Sequence, residues 1–263
     1  MKVGIIGFGA IGGALARGLQ RTPHEIVAIL AREGSANIVR AKAGASIPVV
    51  TALEDLLASA PDVVVEAAGH AALRAYGAAV LSHGTDLIIS SIGALADAAL
   101  ETELRNAAAV GGRLVIPSGA LGGLDALGAA LRAGLDEVSY VSRKAPSAWK
   151  GTKAETLLDL ASVTEAQVFY EGTARQAALD FPQNANVVAA VALAGIGFDR
   201  TRVRLMVDPA TTGNRHLLEA RGPFGEISAS VLARTLPDNP KTSMLAPYSL
   251  VRAIANLADP VVV

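Results

Sequence analysis

A short Val/Ile strand at the N-terminus runs straight into Gly7-Phe8-Gly9-Ala10-Ile11-Gly12. No other feature restricts the fold of this chain so strongly. A G-x-G-x-x-G run carries meaning when it closes a strand and opens a helix, as it does here. Gly7 permits the tight turn, and Gly9 lets the backbone approach a pyrophosphate. Gly12 lets the helix pack against the strand. The N-terminus of the following helix offers free N–H groups and a positive dipole end to the phosphates. Gly7, Gly9, Ala10, Ile11 and Gly12 are therefore candidate cofactor contacts. The plain alternative is a structural glycine turn in an α/β fold.

The residues that follow repeat one rhythm. Short apolar runs at Val3–Ile6, Ile26–Leu30, Val49–Val50, Val63–Ala67, Leu87–Ser90 and Arg113–Ile116 predict strands. Alanine-rich stretches at Ile11–Gln20, Ala36–Ala43, Leu53–Ala58, Ala71–Leu81, Leu95–Val110 and Leu124–Ala133 predict helices between and after them. Near-continuous Val/Ile strands imply burial on both faces, as in a parallel sheet flanked by helices. The expectation is α/β: an N-terminal Rossmann-type doubly wound parallel sheet over residues 1–134.

The rhythm changes after Gly134. Val138–Arg143, Ala166–Tyr170, Val203–Val207, Arg215–Ala220 and Glu226–Ala233 read as strands. Turn signals at Asp208-Pro209 and Gly222-Pro223-Phe224-Gly225 separate the last three, which predicts antiparallel neighbours. Helices are expected near Thr173–Ala178 and Asn186–Leu193. A C-terminal α+β domain, residues 135–240, for catalysis, substrate binding and dimerisation is the expected partner. A final helix near Met244–Leu257, within 241–263 and after Pro237-Asp238-Asn239-Pro240, is expected to pack back on the first domain.

Composition removes several function classes. The chain has 263 residues, 51% hydrophobic and 18% charged, so it is not a disordered one. Its net charge of −1 gives no bulk attraction to nucleic acid or an anionic membrane. The apolar run Val187–Phe198 is twelve residues, two of them glycine, short of the ~20 a spanning helix needs. The chain opens Met-Lys without a signal-peptide pattern, and a cytoplasmic location is the default. With no cysteine, thiolate chemistry is excluded, and the four histidines lack metal-site spacing, so no metal is expected. There is neither a G-x-S-x-G elbow nor a P-loop.

The end of the second strand bears on the ribose. An acid there would bind the 2′-hydroxyl, whereas an arginine accommodates a 2′-phosphate. The sequence reads Ile29-Leu30-Ala31-Arg32-Glu33. The acid is displaced and Arg32 stands near the place, so NADP is expected beside NAD. The alternative is a solvated loop charge. Of the histidines, His24 sits in a turn expected to be exposed, His70 begins a helix, and His83 ends one. His216 lies in the second domain, and a dehydrogenase needs a group that can take a substrate proton as hydride leaves.

Phe181-Pro182-Gln183-Asn184-Ala185-Asn186-Val187, Leu193-Ala194-Gly195, Asp208-Pro209 with Asn214-Arg215-His216, Gly222-Pro223-Phe224-Gly225 and Asn239-Pro240-Lys241-Thr242-Ser243 form a recognisable set. With the glycine loop and Ile116-Pro117-Ser118-Gly119-Ala120, the chain resembles the L-aspartate dehydrogenase family over essentially its whole length. F-P-x-N-x-N and N-P-K-T-S are the specific parts. The resemblance implies that His216 is the catalytic histidine and that Ala120 and Asn186 contact the nicotinamide side of the cofactor. Each has a structural alternative: Ala120 as a helix start, Asn186 as a helix N-cap, His216 as a satisfied strand residue.

What the resemblance implies is NAD- or NADP-dependent oxidative deamination of L-aspartate. The product iminosuccinate gives oxaloacetate and ammonia, and iminosuccinate supplies NAD biosynthesis. A homodimer, binding small molecules but neither nucleic acid nor membrane, is expected. The substrate carboxylates need cationic or N–H-rich partners. Arg143, Lys144, Lys150, Lys153, Thr212 and the backbone of the Ser118–Gly123 loop are the options left open. Two other readings compete: a reductase of the dihydrodipicolinate reductase or homoserine dehydrogenase type, and a non-catalytic dinucleotide-binding redox sensor.

Overall fold

A computed structural model describes residues 1–237 and 239–262. In chain order its elements are β1 (Lys2–Ile6), α1 (Ala10–Leu19), β2 (Glu25–Leu30), α2 (Ala36–Ala43), β3 (Val49–Val50), α3 (Leu53–Ala58), β4 (Val63–Glu66), α4 (His70–Ser82), β5 (Asp86–Ile89), α5 (Ala98–Val110) and β6 (Leu114–Val115). There follow α6 (Leu124–Ala133), β7 (Glu137–Lys144), α7 (Pro146–Trp149), β8 (Gln167–Thr173), α8 (Ala174–Asp180), α9 (Ala185–Ala194), β9 (Arg202–Val207), β10 (Asn214–Gly222), β11 (Gly225–Ala233), β12 (Thr235–Leu236), β13 (Asn239–Ser243) and α10 (Leu245–Ala258). The turn expected at Pro237–Pro240 includes Asp238, which lies outside the described residues. Two compact units result. One comprises Met1–Ser91, Ala98–Pro117 and Ala246–Val263; the other comprises Ile92–Asp97 and Ser118–Leu245.

The first unit is the doubly wound sheet that the Val/Ile rhythm predicts. Six parallel strands run in the order β3-β2-β1-β4-β5-β6. The order reverses between β1 and β4, where Ile6 pairs with Glu66 at the carboxyl ends. In open α/β sheets that reversal is where ligands bind. Val3, Ile5, Val63, Val65 and Ile88 are buried and pack with Leu15 and Leu19 of α1. Each such side chain, fully buried, contributes about 1.5–3 kcal/mol. Leu250, Ala253 and Ile254 of α10 join the same core, which explains why a C-terminal helix belongs to an N-terminal sheet.

Two sequence expectations shift here. The helix read from Leu95 begins at Ala98, and a separate 3₁₀ turn, Ile92–Ala96, precedes it and belongs to the second unit. The strand read to Ala67 ends at Glu66. The buried Glu66 carboxylate accepts the N–H groups of Ala68, at 2.7 Å, and Gly69, at 2.8 Å. Backbone donors that bond a carboxylate are not available to a ladder.

The second unit holds a five-stranded mixed sheet in the order β11-β10-β7-β9-β8. The expectation that β9, β10 and β11 lie side by side is correct for β10 and β11 alone, which pair antiparallel from Asn214–Ala233 to Gly222–Gly225. β9 instead pairs parallel with β7 and antiparallel with β8. β7 therefore sits between β9 and β10, and the 208–213 connection crosses its end. That crossing is tied down locally: the Asp208 N–H donates to Lys144 O at 2.9 Å, and the Arg143 guanidinium donates to Asp208 Oδ2 at 2.7 Å. A six-residue connection fits a hairpin or a one-strand skip equally. The nearly continuous burial of β7, from Val138 to Lys144, selects the skip.

Candidate functional site

The glycine loop lies at the sheet's reversal point in the first unit. Gly7 has φ of +89°, and a Cβ there would press on Ala68. A Cβ on Gly12 would run into the Gly7 carbonyl oxygen. Gly7 and Gly12 are thus required by the protein's own packing. Gly9 is not, because a Cβ there would meet no atom within 4 Å. Gly9 is the N-cap of α1 and has no side chain to bond the first-turn N–H groups. Ala10, Ile11 and Gly12 are the first three residues of that helix, and their N–H groups have no intrahelical partner. A bare backbone, unmatched donors and a helix N-terminus fit the pyrophosphate of a dinucleotide.

Glu66 at the end of β4 braces the turn that follows that strand. Besides the two backbone donors, the Ser91 N–H reaches Glu66 Oε2 at 3.1 Å and the Ser91 hydroxyl reaches Oε1 at 3.0 Å. Burial pushes the Glu66 carboxyl up, and these donors pull against it. Nothing in the sequence pattern marks Glu66, which falls inside the predicted strand Val63–Ala67. Arg32 is exposed and precedes the 3₁₀ turn Glu33–Ser35. Among the described residues no ion pair joins it. His70 is the first residue of α4. His24 is half-buried rather than exposed, its Nδ1 3.4 Å from the Met1 amino group.

The other predicted residues fall in the second unit. His216 on β10 is 3% exposed. Tyr140, on the neighbouring strand β7, is buried with its hydroxyl 2.6 Å from His216 Nδ1. His216 Nε2 is buried and has no hydrogen-bond partner among the described residues. Leaving such an atom unmade costs about 1–3 kcal/mol, so its isolation calls for a reason. Burial, and then the charge of Lys144, push the His216 imidazole down to about 3. The ring is therefore neutral across the working pH range.

Lys144 lies on β7 two residues beyond Ser142, which pairs with His216. Strand alternation gives Tyr140, Ser142 and Lys144 one face, and all three are buried. Burial pushes the Lys144 ammonium down to about 8. Its Nζ donates to Asn184 Oδ1 at 2.6 Å and lies 5.4 Å from the Trp149 ring centroid. The other carboxylate-binding options separate by the same test. Arg143 is engaged by Asp208, and Lys153 by Asp180 at 2.8 Å. Lys150 and Thr212 are exposed.

The F-P-x-N-x-N segment gains a physical account. Phe181 packs edge-on against Trp149, Phe169 and Tyr170. Asn184, not Asn186, is the N-cap of α9, and it makes no side-chain cap bond; its oxygen is taken by Lys144. Asn186 is the second helical residue, and its Oδ1 accepts the Gly93 N–H at 3.0 Å. Ala120 does not start a helix. It sits buried in the turn after Ser118, and α6 begins at Leu124 after Gly123 in the left-handed region.

Residues 125–257 match the family model for the C-terminal domain of aspartate dehydrogenase, and residues 7–117 match the NAD binding domain of homoserine dehydrogenase. The chain is 44% identical to an L-aspartate dehydrogenase of Serratia proteamaculans, over 98% of this chain and 97% of that one. The crystal structure of aspartate dehydrogenase from Thermotoga maritima superposes with a TM-score of 0.78 at 25% identity, covering 100% of this chain and 99% of the other. A hyperthermophilic archaeal homoserine dehydrogenase in complex with NADPH shares the fold, with a TM-score of 0.62 at 12% identity over 97% and 98% of the two chains.

Proposed function

The chain belongs to the L-aspartate dehydrogenase family, and from that premise we propose how its residues divide the work of oxidising L-aspartate. It is an oxidoreductase acting on the CH–NH₂ group, with NAD or NADP as cofactor. The reaction converts L-aspartate and water to oxaloacetate and ammonia through iminosuccinate. The alternative of a homoserine dehydrogenase-type reductase rests on the NAD binding domain match over residues 7–117 and on a shared fold at 12% identity, whereas residues 125–257 match aspartate dehydrogenase.

The first unit is the dinucleotide-binding domain, with Gly7, Gly9, Ala10, Ile11 and Gly12 holding the pyrophosphate and Arg32 near the ribose. The second is the catalytic and substrate domain, with Ala120 and Asn186 on the nicotinamide side. The bound nicotinamide supplies the carbon that accepts the Cα hydride. His216 takes the proton that the substrate amine must lose for hydride to leave; after that proton passes to solvent, the neutral ring takes one from the water that attacks the imine carbon and returns it to the departing nitrogen. The observation that carries this assignment is the isolated, buried Nε2. A basic Nε2 requires the tautomer in which Nδ1–H donates to the Tyr140 oxygen, which a phenol can accept. Ammonia leaves as the carbinolamine collapses to oxaloacetate.

The family resemblance also supports a cytoplasmic homodimer whose iminosuccinate feeds NAD biosynthesis. Among the described residues no helix is long and apolar enough to cross a membrane. Purified protein mixed with L-aspartate and NAD or NADP, followed by absorbance of the reduced cofactor, tests the activity. Reduction with L-aspartate exceeding that with other amino acids is the expected result. Reduction with L-homoserine and none with L-aspartate would overturn it.

A further inference from the structure

We propose that Lys144 binds one carboxylate of the substrate, and so contributes to the selection of a dicarboxylic amino acid. The inference rests on the L-aspartate reading above and names a residue within that site. Lys144 Nζ is buried on the strand face that carries Tyr140 and Ser142. The only described hydrogen bond it makes is to a neutral amide oxygen, Asn184 Oδ1. Among the described residues no ion pair joins it. An ammonium offers three donors, and a buried one without a counter-charge is costly unless an anion arrives. The Trp149 ring takes part of the charge but leaves the donors unfilled.

The second observation is independent of the first. His216, which senses the Lys144 charge, has a buried Nε2 without a partner among the described residues. Two buried polar groups, one cationic donor and one lone-pair acceptor, are thus both incompletely satisfied on adjacent strands. An amino acid offers the complementary pair: a carboxylate for the lysine and an amine N–H for the imidazole. Arg143 already has a counter-charge in Asp208, and strand alternation puts it on the opposite face of β7 from Lys144. The geometry also has a chemical consequence. A carboxylate on Lys144 cancels the positive charge that opposes protonation of His216, so the seated substrate strengthens its own base.

Lys144→Met keeps length and removes charge, and succinate serves as a non-reactive dicarboxylate probe. Expected are an increase of about 100-fold in KM for L-aspartate, a comparable loss of succinate affinity by calorimetry, and unchanged NADH affinity. Lys144→Arg should recover part of the succinate binding. If Lys144→Met does not fold, Lys144→Gln, which keeps a donor toward Asn184, carries the same measurements. A KM within threefold of wild type (less than ~1 kcal/mol) together with retained succinate binding would overturn the proposal. Wild-type protein that binds succinate without oxidising L-aspartate would count against the L-aspartate reading instead. Loss of succinate binding in Lys144→Met would still support the carboxylate site.

Discussion

The glycine loop of the first unit and the polar cluster of the second are built by opposite means. The loop is contiguous in sequence and made of backbone; its defining property is the absence of side chains at Gly7, Gly9 and Gly12. The cluster draws Tyr140, Lys144, Asn184 and His216 from two strands and a helix start, and its property is the state of buried side-chain atoms. A phosphate cradle works through N–H groups that every residue carries, so local spacing suffices to write it. A proton-transfer site needs particular side chains at particular depths, and only the folded sheet supplies the depth.

The sharpest way to break this contrast is His216→Ala. General acid–base catalysis contributes about 10²–10⁴-fold, and kcat should fall by that much while NADH affinity holds. A near-normal kcat would transfer the role of base to another group, with Lys144 the nearest in kind. The converse experiment is Gly9→Val. With open space around Gly9, the fold should keep its thermal midpoint while NADH binding weakens at least tenfold, about 1.4 kcal/mol. Fluorescence titration reads the affinity, and wild-type binding would remove Gly9 from the cofactor site. Gly12→Ala sharpens the distinction within the loop. Its methyl meets the Gly7 carbonyl, so stability should fall by about 1–3 kcal/mol as in other overpacked sites, measured by denaturant unfolding.

A pH series tests the burial of His216. Its folded value, about 3, lies below the ordinary imidazole value of 6.5. The folded state thus binds fewer protons than the unfolded one between those two values. Stability from this group is present above about pH 6.5 and is lost as pH falls toward 3. His216→Gln should flatten that limb of the unfolding midpoint against pH; an unaltered slope would mean that the imidazole is not the buried neutral group. The smallest effect is expected at Arg32, exposed at the surface. Arg32→Asp should shift the kcat/KM ratio of NADP to NAD several-fold toward NAD, on the order of 1 kcal/mol. An unchanged ratio would show that Arg32 does not reach the 2′ position.

The sequence by itself determined the Rossmann-type sheet, because parallel strands buried on both faces must be written as short Val/Ile runs, and these are local. It determined the glycine loop for the same reason. It also marked His216, Ala120 and Asn186, though only through resemblance, and it misjudged what Asn186 and Ala120 do locally. The order of the second sheet was beyond it. The 208–213 connection allows β9 to neighbour β10 or to pass over β7, and that choice depends on which strand is buried most, a property of the whole unit. From that choice comes the pairing of β7 with β10, and so the contact of Tyr140 with His216 across 76 residues of chain. Tertiary structure alone therefore decided that His216 is deeply buried, that its Nε2 has no partner among the described residues, and that Lys144 rather than the exposed Lys150 is the cation beside it. Burial and desolvation belong to a side chain's surroundings, and those are assembled only when distant segments meet.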